Sequence, residues 1–119
     1  MALAKLGAVV LDCPDPRALA GFYAELLGGT VEGEGDWVDL KTPGGQTLAF
    51  QASPGFVAPE WPAPDHSQQF HLDLTVDDLD AAEAGVLALG AKPLDAEDHS
   101  RGWRVYADPA GHPFCLCAC

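Results

Sequence analysis

The run LGAVVLD at 6–12 is nearly continuous in apolar residues and predicts a strand, and FHLDLTV at 70–76 alternates apolar and polar positions as a half-buried strand does. A helical pattern follows each. In the first, Asp15 is placed to cap the helix and Pro16 to take its first position, where a missing N–H removes no bond. Leu19, Phe22, Tyr23 and Leu26 then recur at helical spacing as one buried stripe, which Gly28 and Gly29 end. In the second, Asp77 or Asp78 caps a helix whose stripe is Leu79, Ala82, Val86 and Leu89, ending near Gly90 with Pro93 beyond it. Three short strands are expected after each helix, at 30–33, 36–41 and 46–51 and again at 92–95, 102–107 and 113–118. The last two of each set are joined by TPGGQ and DPAGH, turns of hairpin length.

The two halves are versions of one plan. With an offset of 66, DWVDLKTPGGQTLAFQ lies over GWRVYADPAGHPFCLC, so that Trp37 meets Trp103, Pro43 meets Pro109 and Gly45 meets Gly111. With an offset of 63, Leu11, Asp15 and Ala18 meet Leu74, Asp78 and Ala81. The chain therefore reads as α+β, βαβββ twice: module one over 5–52, a proline-rich linker over 53–67, and module two over 68–119.

Composition narrows the function. At 119 residues, 48% hydrophobic and 20% charged, the chain is sized for a single domain with a core of its own. A net charge of −12 repels phosphate and anionic lipid, which disfavours nucleic acid and membrane surfaces and concentrates cations and basic small molecules. No stretch approaches the ~20 apolar residues of a membrane span. The N-terminal residues lack a signal-peptide core, and Cys115, Cys117 and Cys119 alternate in one segment while Cys13 stands apart, which is no spaced disulfide framework; a cytoplasmic protein is expected.

LGAVVLDCPDPRALAGFYAELLGG, HLDLTVDDLDAAEAGVLALGA and WRVYADPAGHPFCL together resemble the vicinal oxygen chelate superfamily of glyoxalases, bleomycin-resistance proteins and extradiol dioxygenases. The resemblance covers almost the whole chain. It implies a single glyoxalase-like domain over 1–119 whose curved mixed sheets surround a cleft, commonly as a homodimer, and it implies metal ligands in the first and last strands of each module. Those positions are Ala8, Ala49, His71 and Cys115. Only His71 matches the His, Gln or Glu of metal-dependent relatives; Ala8 and Ala49 offer no donor, and Cys115 would offer a thiolate.

If His71 faces the cleft, strand alternation sends Asp73 and Thr75 there too and turns Phe70, Leu72, Leu74 and Val76 to the helix. Equivalent reasoning gives Ala8, Val10 and Asp12, then Ala49 and Gln51, then Cys115 and Cys117. No basic residue is expected on this face, which suits an uncharged or cationic organic ligand. Trp37 and Trp103 at equivalent positions, and Trp61 on the linker, are either aromatic walls and a lid or core packing. His71 reads as a ligand contact or a structural histidine before a general base, and Cys115 as an apolar strand residue before a nucleophile. His66, His99 and His112 receive no role.

The resulting expectation is a metal-independent, cofactor-free small-molecule binding protein, a homodimer holding an aromatic or cationic ligand through His71, Asp73, Gln51, Trp61, Trp37, Trp103 and Cys115. The alternative is a metal-dependent lyase, isomerase or dioxygenase using His71 and Cys115. Whether any reaction is catalysed stays open at this point.

Overall fold

The computed structural model describes residues 2–60 and 70–118, and divides into two compact units, Met1–Phe56 and Val57–Cys119. The expected Trp61 contact lies outside the described residues.

In the first unit, β1 (Val9–Cys13), α1 (Pro16–Leu27), β2 (Thr30–Glu32), β3 (Trp37–Lys41) and β4 (Thr47–Ala52) form a four-stranded sheet in the order β1-β4-β3-β2. β1 runs parallel to β4, and the other neighbours are antiparallel. Asp15 starts the helix by accepting a hydrogen bond from the Ala18 N–H at 3.2 Å, with Pro16 next, as its sequence predicts. Gly28 and Gly29 stop it with φ of 79° and 103°, and at Gly29 a Cβ would also run into the Lys41 carbonyl. The helix buries Leu19, Ala20, Phe22 and Tyr23 against Val38, Leu40, Leu48 and Phe50 of the sheet. Tyr23 stacks on Phe50 with ring centroids 5.9 Å apart, and Phe22 meets Tyr23 edge-on at 4.9 Å.

The second unit repeats the order with β5 (Leu72–Thr75), α2 (Leu79–Ala88), β6 (Lys92–Asp95), β7 (Trp103–Ala107) and β8 (Pro113–Cys117), arranged β5-β8-β7-β6. Asp78, rather than Asp77, caps α2 by accepting from the N–H groups of Asp80 and Ala81. The β7–β8 turn is built on buried Asp108, whose carboxylate accepts from the N–H groups of Ala110 and His112 at 2.9 and 3.0 Å. β6 pairs β7 through Pro93 with Tyr106 and Asp95 with Val105, so the register slips at Leu94 between them.

Three expectations are corrected. The α2 stripe buries Val86 fully, but Leu79 and Ala82 only in part, and Leu89 is exposed in the final turn. Polar contacts complete this interface: buried Arg104 donates to Asp80 at 2.8 Å and the Tyr106 hydroxyl donates to Glu83 at 2.6 Å. Phe70 does not pack on the helix. It precedes the start of β5 and is 88% exposed. The C-terminal segment, whose alternating cysteines read as no disulfide framework, nevertheless contains a bonded one: Cys117 is disulfide-bonded, while Cys115, and Cys13 in β1, are free thiols.

Phe50 is fully buried against Tyr23, so Phe50→Ala is expected to destabilise the protein by about 3–5 kcal/mol in urea unfolding. Phe70→Ser, at an exposed position, is expected to change stability by no more than about 0.5 kcal/mol.

Candidate functional site

The strand registers determine which side chains share a face. Across the second sheet, Asp73, Cys115, Val105 and Asp95 form one row, and Thr75, Cys117 and Trp103 the next. The alternate positions carry Phe114, Leu116, Tyr106 and Arg104, and the last two bond to α2. Alternation therefore puts the Asp73 and Trp103 rows on the face turned away from the helix. The first sheet has the matching rows Val10, Ala49, Asp39, Glu32 and Asp12, Gln51, Trp37.

On the second sheet, His71 and Asp73 lean together although their backbones are two residues apart: His71 Nε2 lies 3.1 Å from Asp73 Oδ1. Cys115 is the direct register partner of Asp73, and one ligand atom from each of the three residues lies within 4.8 Å of the others. Burial, then the neighbouring Asp73 carboxylate, pushes the Cys115 thiol up to about 11. The thiol is accordingly neutral near pH 7 and a poor nucleophile as it stands.

Arg101 overturns the expectation that this face lacks a basic residue. Its guanidinium carbon lies 3.8 Å from the centroid of the Trp103 ring. It also donates to both Asp95 carboxylate oxygens, Nη2 to Oδ1 at 3.0 Å and Nη1 to Oδ2 at 3.3 Å, and to the Asp95 carbonyl at 3.0 Å. Strand periodicity missed Arg101 because it stands in the loop before β7, where alternation gives no direction; its spacing of two from Trp103 was the available signal.

On the first sheet the Trp37 indole N–H donates to Asp39 Oδ1 at 2.9 Å, and the Gln51 amide donates to Asp12 Oδ1 at 3.4 Å. Trp37 and Trp103 are 45% and 40% exposed, so neither is an interior packing residue. His71, Asp73 and Cys115 come together on one sheet, as do Trp37 and Gln51 on the other.

A ring nitrogen, a carboxylate oxygen and a thiol at this separation fit a thiophilic divalent ion such as zinc, provided the thiol releases its proton. Asp73 enlarges the donor set read from the sequence, which counted the family positions His71 and Cys115. Ala8 and Ala49, the corresponding positions of the first unit, have no side-chain donors.

The glyoxalase-like domain family matches residues 8–117. The chain belongs to this family. No curated protein sequence matches it. Among solved structures, it is similar to a glyoxalase/bleomycin resistance protein/dioxygenase family enzyme from Burkholderia phytofirmans, with 20% identity, a TM-score of 0.69, and coverage of 95% of this chain and 97% of that one. A possible glyoxalase from Bacillus cereus gives 15% identity and a TM-score of 0.72 over 98% and 100% of the two chains. A glyoxalase family protein from Enterococcus faecalis gives 25% identity and 0.65 over 98% and 99%. These likenesses, with the family match, support the vicinal oxygen chelate fold that the three sequence segments resembled.

The raised Cys115 value gives a direct chemical expectation. In EDTA-treated protein, Cys115 alkylation by iodoacetamide, followed by peptide mass spectrometry, should be far slower at pH 8 than that of a free thiol and should rise toward pH 11. Rapid alkylation at pH 7 would contradict the burial and the Asp73 contact.

Proposed function

We propose that this glyoxalase-like protein binds an aromatic or cationic organic small molecule on the helix-free faces of its sheets, without requiring a metal ion. The observation that carries this reading is half-exposed Trp37, whose indole N–H is held by the Asp39 carboxylate, with Trp103 at the equivalent strand position of the second sheet under the Arg101 guanidinium. An aromatic face with nearby acids attracts flat and positively charged molecules, and the net charge of −12 adds a long-range field of the same sense. On the second sheet His71 and Asp73 supply hydrogen-bonding groups, and on the first Gln51 supplies an amide. The reading includes a cytoplasmic homodimer. Among the described residues, no helix is long and apolar enough to cross a membrane.

A second reading rests on the cluster of His71, Asp73 and Cys115. In a metal-dependent lyase, isomerase or dioxygenase these three side chains would hold the ion, which would supply Lewis-acid polarisation of a substrate oxygen. His71 would then be committed as a ligand and unavailable as a base.

Titration of EDTA-treated protein with a panel of aromatic amines and amphipathic cations, followed by tryptophan fluorescence, is expected to give saturable quenching with at least one compound. His71→Ala should weaken that binding about five- to ten-fold, the worth of one hydrogen bond, while leaving the unfolding midpoint nearly unchanged. Silence across the panel overturns the binding reading. Elemental mass spectrometry of protein purified without chelator separates the two: near-stoichiometric zinc, nickel, iron or manganese favours the enzyme.

A further inference from the structure

We infer that the first sheet carries a binding place for a planar guanidinium-type cation, formed by Trp37, Glu32 and Asp39, whose counterpart on the second sheet is filled by the protein's own Arg101. The inference rests on the proposed use of the helix-free faces and names the chemical class of ligand for one of them.

The second sheet shows the complete recognition. A guanidinium lies over the Trp103 ring at 3.8 Å while its fork of N–H groups engages both oxygens of Asp95. An aromatic face below and a carboxylate at the edge satisfy the two demands of this cation, a π surface and a bidentate acceptor. The elements that hold those groups are repeated in the first unit. Trp37 stands at the position of Trp103, and Glu32 pairs with Asp39 across the sheet as Asp95 pairs with Val105. The carboxylate on the edge strand therefore recurs, on a side chain one methylene longer.

Two differences turn the filled arrangement into an open one. The residue two before Trp37, matching Arg101, is Gly35, where an added Cβ would meet no atom within 4 Å. The internal cation is absent, and the space at its root is open. Val105 is replaced by Asp39, whose Oδ1 accepts the Trp37 indole N–H at 2.9 Å, fixing the ring with a second carboxylate at its edge. Among the described residues neither Glu32 nor Asp39 has an ion-pair partner; Arg17 of α1 donates instead to the Gly33 carbonyl. An aromatic platform with two acids that make no ion pair among the described residues, Lys41 lying two positions from Asp39 on the same strand face without pairing with it, is complementary to a small organic guanidine or amidine.

Methylguanidine is the probe, added to the full chain labelled with ¹⁵N-tryptophan. The Trp37 indole signal, assigned by its loss in Trp37→Leu, is expected to move saturably, while the Trp103 signal stays still under its Arg101 cover. Glu32→Gln, a change at an exposed edge, should weaken binding about ten-fold, as expected for one charge-assisted contact. Arg101→Ala should uncover the second platform, so that the Trp103 signal titrates as well and bound probe rises from one equivalent to two. A motionless Trp37 signal, unchanged affinity in Glu32→Gln, no second equivalent in Arg101→Ala, or equal affinity for methylammonium overturns the inference. A protein that ignores methylguanidine but is quenched saturably by another aromatic amine loses this inference and keeps the proposed function. Silence toward both overturns both.

Discussion

Parallel hydrogen bonding between the first and last strands of each βαβββ unit, Val9–Cys13 with Thr47–Ala52 and Leu72–Thr75 with Pro113–Cys117, obliges the helix after the first strand to lie on one face of the sheet. The remaining strands reach the pairing through hairpins, which add no cover to the other face. One face of each sheet thus takes the apolar core. The opposite face is where side chains of other chemistry are tolerated, and His71, Asp73, Cys115, Trp37, Gln51 and Trp103 all stand there or at its margin.

The two helix interfaces are built differently because the two helices differ in apolar content. The first presents Leu19, Phe22 and Tyr23, all buried. The second, LDAAEAGVLA, has small residues where the first has aromatic ones, and buries Val86 fully. Arg104 and Tyr106 on β7 rise to meet it, bonded to Asp80 and Glu83. The Arg104 guanidinium holds the Asp80 carboxyl below the usual carboxylate range, first through their hydrogen bond. Burial and the Glu83 contact raise the Tyr106 hydroxyl, which therefore stays protonated as a donor. A polar interface of this kind demands fixed geometry, since buried polar groups deprived of partners are costly.

The helix-free faces of the two sheets differ as well, although Trp37 and Trp103 recur on them. At equivalent register positions the first sheet carries Ala49, Asp39 and Glu32, and the second carries Cys115, Val105 and Asp95. One sheet presents acids around an uncovered indole. The other gathers a histidine, a carboxylate and a thiol beside an indole stacked under an arginine. A shared backbone plan with different side chains on one face is how a scaffold of this kind hosts more than one chemistry.

The helix boundaries, the hairpin turns, the doubled βαβββ order and the sharing of a face by His71, Asp73 and Cys115 were legible in the chain, because caps, glycine turns and strand alternation are set by neighbours a few residues away. The family was legible for the same reason, its marks being local segments in a fixed order. Partial burial of the α2 stripe, the exposure of Phe70, the slip at Leu94 and the seat of Arg101 on Trp103 were decided only by tertiary structure. Each depends on what a second segment, distant in sequence, brings alongside. Alternation says which way a strand residue points, but a loop arginine takes its direction from the ring and the carboxylate that the folded sheet places within its reach.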